Sequence, residues 1–118
     1  MNILGLDYGE KHVGVAYSEG MLAEPLTTLN NQTAIVQIIK LINKLQISKL
    51  IIGNCPEEFL QNLKNLKIEV VQVDETLSSY DARQSLLHTT QTKRREKEHA
   101  VAAALILQSW LDLFDKKD

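Results

Sequence analysis

The chain has 118 residues, of which 44% are hydrophobic and 24% charged, and a formal net charge of −2. This is the profile of one globular domain with a core of its own. The slight acidity excludes nucleic-acid binding by bulk electrostatics, so any such role must rest on a local basic patch. The single cysteine, Cys55, excludes an internal disulfide and a cysteine zinc cage, and suits a reducing cytoplasm. No apolar run reaches the roughly 18 residues of a membrane span, and the first residues read as a strand rather than a signal peptide.

Residues 3–16 read as a short apolar strand ending on Asp7, a tight turn at Gly9 and a returning strand. Aspartate is a poor strand residue and costly to bury. At the mouth of a buried strand, Asp7 therefore calls for a metal, a hydrogen-bond network or a partner charge. Gly9 is expected to turn with a positive φ, and Gly14 to let something approach the second strand closely. Residues 17–20 form a turn, and residues 22–29 a third strand that Pro25 pushes to a sheet edge. Asn30 and Asn31 offer a helix cap. Ile35, Ile38, Ile39, Ile42 and Leu45 then predict a helix to about Gln46. Residues 49–53 form a short buried parallel strand, broken by Asn54-Cys55-Pro56. A weaker helix over 57–66 follows, then a strand over 68–73 that ends on Asp74-Glu75. Ser78 or Ser79 caps a helix through Leu87, residues 88–97 form a polar, basic, mobile loop, and residues 98–114 the longest helix. No repeat, low-complexity segment or linker divides the single domain 1–118.

The order βββαβαβαα predicts an α/β fold. Its five-stranded mixed sheet has an antiparallel meander of three strands plus two parallel strands, flanked by helices. A central first strand brings the ends of the parallel strands to one edge, where open α/β sheets bind ligands.

Three clusters converge on that edge. Asp7 either holds a divalent metal, contacts a metal–nucleotide phosphate, or caps its hairpin turn. Asp74 and Glu75 repel each other at a strand end, which Mg²⁺ or Mn²⁺ would relieve; an acidic helix start is the plainer alternative. His99 shares a helix face with Ala102, Ala103, Ile106 and Trp110, and the alanines would let that helix lie close on the sheet. At a helix start His99 stays neutral, able to ligate metal or take a proton; a structural histidine is the alternative. Lys93, Arg94, Arg95 and Lys97 are either a solvated turn or a phosphate-gripping arm, joined by Lys11 from the hairpin. His12, His88 and Cys55 show no partner pattern and read as structural or incidental.

Together the runs 4–16 (LGLDYGEKHVGVA), 50–53 (LIIG), 74–79 (DETLSS) with Ala82, and 100–108 (AVAAALILQ) resemble the YqgF/RuvX-like family of the RNase H-like superfamily. The resemblance spans nearly the whole chain in the family's order. It implies a cytoplasmic nuclease, monomeric or homodimeric, acting on precursor ribosomal RNA or on branched DNA such as Holliday junctions. Ribosomal particles are possible partners, and membranes are not. It also implies Mg²⁺ or Mn²⁺ held by Asp7, Asp74, Glu75 and His99, with Asp7, Glu75 and His99 as the catalytic set. Lys11, Lys93, Arg94, Arg95 and Lys97 would bind the nucleic-acid backbone. The sequence departs from the family twice. His99 stands where an aspartate is usual, and the loop after Gly53 is shortened to Asn54-Cys55-Pro56. A catalytically silent nucleic-acid-binding or ribosome-associated adaptor is the alternative the first departure raises. The Asp-x-Gly hairpin also resembles the phosphate hairpin of actin-like kinases, but those hold nucleotide between two lobes and this chain has one.

Overall fold

The computed structural model describes residues 1–73 and 91–115. Strands β1 (Ile3–Asp7), β2 (His12–Ser18) and β3 (Ala23–Asn30) form the expected meander, and β4 (Lys49–Ile52) and β5 (Glu69–Gln72) complete one sheet in the order β3-β2-β1-β4-β5. β1 pairs antiparallel with β2 and parallel with β4, and β4 pairs parallel with β5. Pro25 lies on the edge strand β3, beside a register shift opposite Val15 and Ala16. A missing N–H and a bulge both blunt an open edge.

Helix α1 (Ala34–Leu45) follows a 3₁₀ turn whose cap is Asn30, with its side chain accepting from the Gln32 N–H. α1 ends at Gln46 in the left-handed region at φ 54°. The Ile47 N–H then closes onto the Ile42 carbonyl at 3.0 Å. Helix α2 (Glu57–Lys64) starts behind Pro56, with Glu57 and Glu58 in its first turn and Lys64 in its last, the charge order its dipole favours. Helix α3 runs from Gln91 to Asp115.

Strand alternation sorts the core into two layers. Leu4, Leu6, Val13, Val15, Leu50 and Ile52 pack against α1 and α2 through Ala34, Ile38, Phe59, Leu60 and Leu63. On the other face, Ile3, Ala16 and Ile51 meet Ala103, Ala104, Ile106, Leu107 and Leu111 of α3. The buried stripe of α3 keeps Ala103 and Ile106 of the expected face, with Trp110 packed beside them, and widens to Ala100, Ala104 and Leu107, whereas Ala102 is only half-buried. Lys49 holds the far half of α3 to the sheet, its Nζ 4.7 Å from the Trp110 ring centroid and 2.9 Å from Glu69.

The expected basic loop is corrected in part. α3 already begins at Gln91, so Lys93, Arg94, Arg95 and Lys97 belong to its first two turns. Gln, Lys, Arg and Glu are good helix formers, but a run without apolar residues carries no periodic signal. His88, the helix expected through Leu87, and Asp74 and Glu75 lie outside the described residues.

Candidate active site

Alternation along β1 sends Leu4 and Leu6 toward α1 and α2, and Ile3 toward α3. Asp7 shares the parity of Ile3, so its carboxylate emerges on the α3 face at the strand's mouth. Tyr8 turns the other way, edge-on to Phe59 with ring centroids 4.8 Å apart. β4 and β5 finish at the same edge: the Gly53 N–H donates to the Leu6 carbonyl and the Val73 N–H to the Ile52 carbonyl.

What α3 brings to Asp7 is His99. Its Nδ1 lies 3.2 Å from Asp7 Oδ2, with the aspartate side chain 15% and the histidine side chain 35% exposed. In the tautomer protonated at Nδ1, His99 donates to the carboxylate and keeps its Nε2 lone pair for a metal or a proton. His99 is not at a helix start, as the sequence suggested. It lies more than two turns beyond Gln91, and the helix dipole acts only within the first turn. Its pairing with Asp7 is therefore tertiary.

Gly14 makes that pairing possible. A Cβ there would fall 1.9 Å from the His99 carbonyl oxygen and 2.7 Å from the Ala100 nitrogen, so the helix backbone rests directly on β2. Gly9 does not adopt the positive φ expected of it; among the described glycines only Gly20 does. Its small size matters instead. A Cβ at Gly9 would meet the His12 carbonyl at 2.5 Å and His99 Cε1 at 3.1 Å. The turn is fastened from outside the hairpin, with the Asn31 N–H donating to the Lys11 carbonyl at 2.9 Å and Asn31 Nδ2 to the Gly9 carbonyl at 2.6 Å.

His12, set aside on sequence grounds, lies close by, its ring centroid 6.1 Å from that of His99. The signal that could have found it is parity. His12 precedes Gly14 and Ala16 at strand period, and both of those face α3. A cavity of about 420 Å³ lies at the opposite end of β2, lined by Tyr17, Ser18, Glu19, Met21, Leu22 and Glu24, away from these groups.

In the other tautomer of His99, with Nδ1 unprotonated, that nitrogen and the Asp7 carboxylate oxygen 3.2 Å away match neighbouring ligands of one Mg²⁺ or Mn²⁺ ion, given metal–donor bonds of about 2.1 Å. Among the described residues no group of three such donors forms, so a complete shell needs donors from elsewhere in the chain.

A mixed sheet in this order, with an aspartate at the mouth of its central strand and a helix laid across that mouth, is the RNase H fold of RuvC-like resolvases. Solved structures agree. "T. thermophilus RuvC in complex with Holliday junction substrate" matches with a TM-score of 0.60 at 11% identity, covering 96% of each chain. The fowlpox virus Holliday junction resolvase matches with a TM-score of 0.65 at 8% identity, covering 96% of this chain and 99% of that one. The family model described as "RuvX: Holliday junction resolvase" matches residues 1–57 and 54–113, and the chain belongs to this family. A relative from Sulfurihydrogenibium sp. (strain YO3AOP1), named "Putative pre-16S rRNA nuclease", is 38% identical over 129 residues, covering 93% of this chain and 89% of the relative. A relative of the same name from Thermoanaerobacter pseudethanolicus is 32% identical over 135 residues, covering 95% and 96%.

Proposed function

We propose that the chain is a metal-dependent endonuclease that hydrolyses phosphodiester bonds of structured nucleic acid. The observation that supports it best is the Asp7–His99 pair at the sheet edge where β1, β4 and β5 end. Precursor 16S ribosomal RNA is the first substrate to test, because the curated relatives carry that name. Holliday junction DNA is the second, from the family description. Asp7 and His99 would hold Mg²⁺ or Mn²⁺ together with Asp74 and Glu75, which follow Val73 directly in sequence. Such an ion, when bound, supplies an activated water and neutralises charge on the phosphate. His99 would ligate the ion beside Asp7 through an unprotonated Nδ1, or, with Nδ1–H donating to Asp7, would accept a proton at Nε2. Lys11, exposed in the fastened hairpin turn, and Lys93, Arg94, Arg95 and Lys97 on α3 bind backbone phosphates. The test is cleavage of both substrates with Asp7→Asn as control. Cleavage of neither, with binding retained, supports the silent adaptor instead.

Imidazole is a softer ligand than carboxylate and brings no negative charge. The native site is expected to prefer Mn²⁺ over Mg²⁺ more than a wholly carboxylate site would. His99→Asp should raise Mg²⁺ affinity in calorimetric titration and increase Mg²⁺-supported cleavage severalfold. An unchanged Mn²⁺/Mg²⁺ preference would remove His99 from the metal shell.

Arg94→Ala with Arg95→Ala is expected to weaken binding across all substrate sequences and to reduce the slope of log affinity against log salt by up to about two. Phosphate contacts position a substrate without reading its bases. An unaltered slope would show that these turns of α3 do not touch nucleic acid.

A further inference from the structure

His12 opens β2 on the face that α3 covers, and it is exposed. Its ring centroid is 6.1 Å from that of His99, with 35° between the ring planes, and His99 in turn pairs with Asp7. Carboxylate, imidazole and imidazole therefore form a row across β1, α3 and β2. The spacing decides what this row can receive. A base sandwiched between two rings needs room for its own thickness between them and near-parallel planes, and the tilted pair does not offer that. A phosphate oxygen needs only an N–H donor about 2.9 Å away, which a ring edge open to solvent supplies. The exposed Lys11 beside it adds positive charge. Asn31 already holds the turn through both its backbone and side-chain N–H groups, so little ordering entropy is lost on binding.

We infer that His12 is a substrate-contact residue of the candidate active site, its imidazole N–H donating to a phosphate oxygen of the nucleic-acid strand beside the Asp7–His99 pair. This rests on the nuclease reading and adds to it a phosphate-binding position on the hairpin side. The experiment measures binding of a labelled precursor 16S RNA fragment and of a four-way DNA junction in Ca²⁺. Wild type, His12→Ala and His12→Arg are compared, each with a thermal melt. His12→Ala should weaken affinity about tenfold, as loss of one hydrogen bond to a charged group does, with an unchanged melt. His12→Arg should restore affinity and steepen the salt slope by up to about one. Wild-type affinity in His12→Ala overturns the inference, as does equal weakening in both variants with a lowered melt, which marks a structural role. If Asp7→Asn stops cleavage while His12→Ala binds like wild type, the inference falls and the nuclease reading stands. If Asp7→Asn cuts at full rate while His12→Ala loses affinity, the catalytic reading falls and the contact survives. A wild type that binds neither substrate sinks both.

Discussion

Asp7→Asn is expected to lower phosphodiester cleavage at least about a hundredfold while leaving the thermal melt unchanged or slightly raised. Groups that only orient a metal ligand already cost 10- to about 100-fold when removed, and Asp7 is proposed as a ligand itself. Asparagine has the same shape and keeps an acceptor oxygen toward His99 Nδ1, now 3.2 Å from Asp7 Oδ2. It loses the charge that a divalent ion needs. The aspartate side chain is only 15% exposed, so replacing a charge by a neutral amide there also relieves desolvation. Cleavage assays in Mg²⁺ and in Mn²⁺, with circular dichroism and a melt on the same preparation, check this. A folded variant that cuts at the wild-type rate would take Asp7 out of the chemistry.

Gly14→Ala is expected to be the most damaging glycine-to-alanine change among the described residues. The added Cβ would sit 1.9 Å from the His99 carbonyl oxygen, 2.1 Å from its carbon and 2.7 Å from the Ala100 nitrogen. All three are helix backbone, which cannot rotate aside as a flexible side chain can. Relief requires α3 to lift from β2, loosening the layer of Ala103, Ala104, Ile106, Leu107 and Leu111. Overpacking costs about 1–3 kcal/mol and occasionally more, and this contact belongs at the upper end. The melt should fall by about 10 °C. Lifting α3 also draws His99 from Asp7, so cleavage should fall beyond what instability explains. Leu22→Ala, at a side chain 73% exposed on the β2–β3 turn, is the control and should stay within about 0.5 kcal/mol. A Gly14→Ala protein that melts with the wild type would mean that α3 does not rest on β2 as described.

Much of this was legible in the chain because its signals are local. Alternating Val13 and Val15 against Gly14 and Ala16, the apolar run 50–52 and the isoleucines of α1 each announce an element by period. Pro25 placed β3 at the edge because proline cannot donate to a second neighbour. Asp7 stood out because a carboxylate ending an apolar strand needs a partner. Lys93, Arg94, Arg95 and Lys97 misled because helix propensity without an apolar stripe looks like loop. Gly9 misled because a glycine needed for room and one needed for positive φ look the same in sequence.

By itself, then, the sequence determined the strand and helix inventory of the described residues, the family and the aspartate around which the candidate site is built. Only the tertiary structure decided what Asp7 faces. His99 is 92 residues away in the chain, and its place depends on α3 docking backbone to backbone at Gly14. His12 joins them because β2 presents alternate residues to that same helix. Periodicity fixes which face of its own element a side chain occupies. Which element then covers that face, and at what height, is set by the close approach that glycine permits and by the packing of the whole layer.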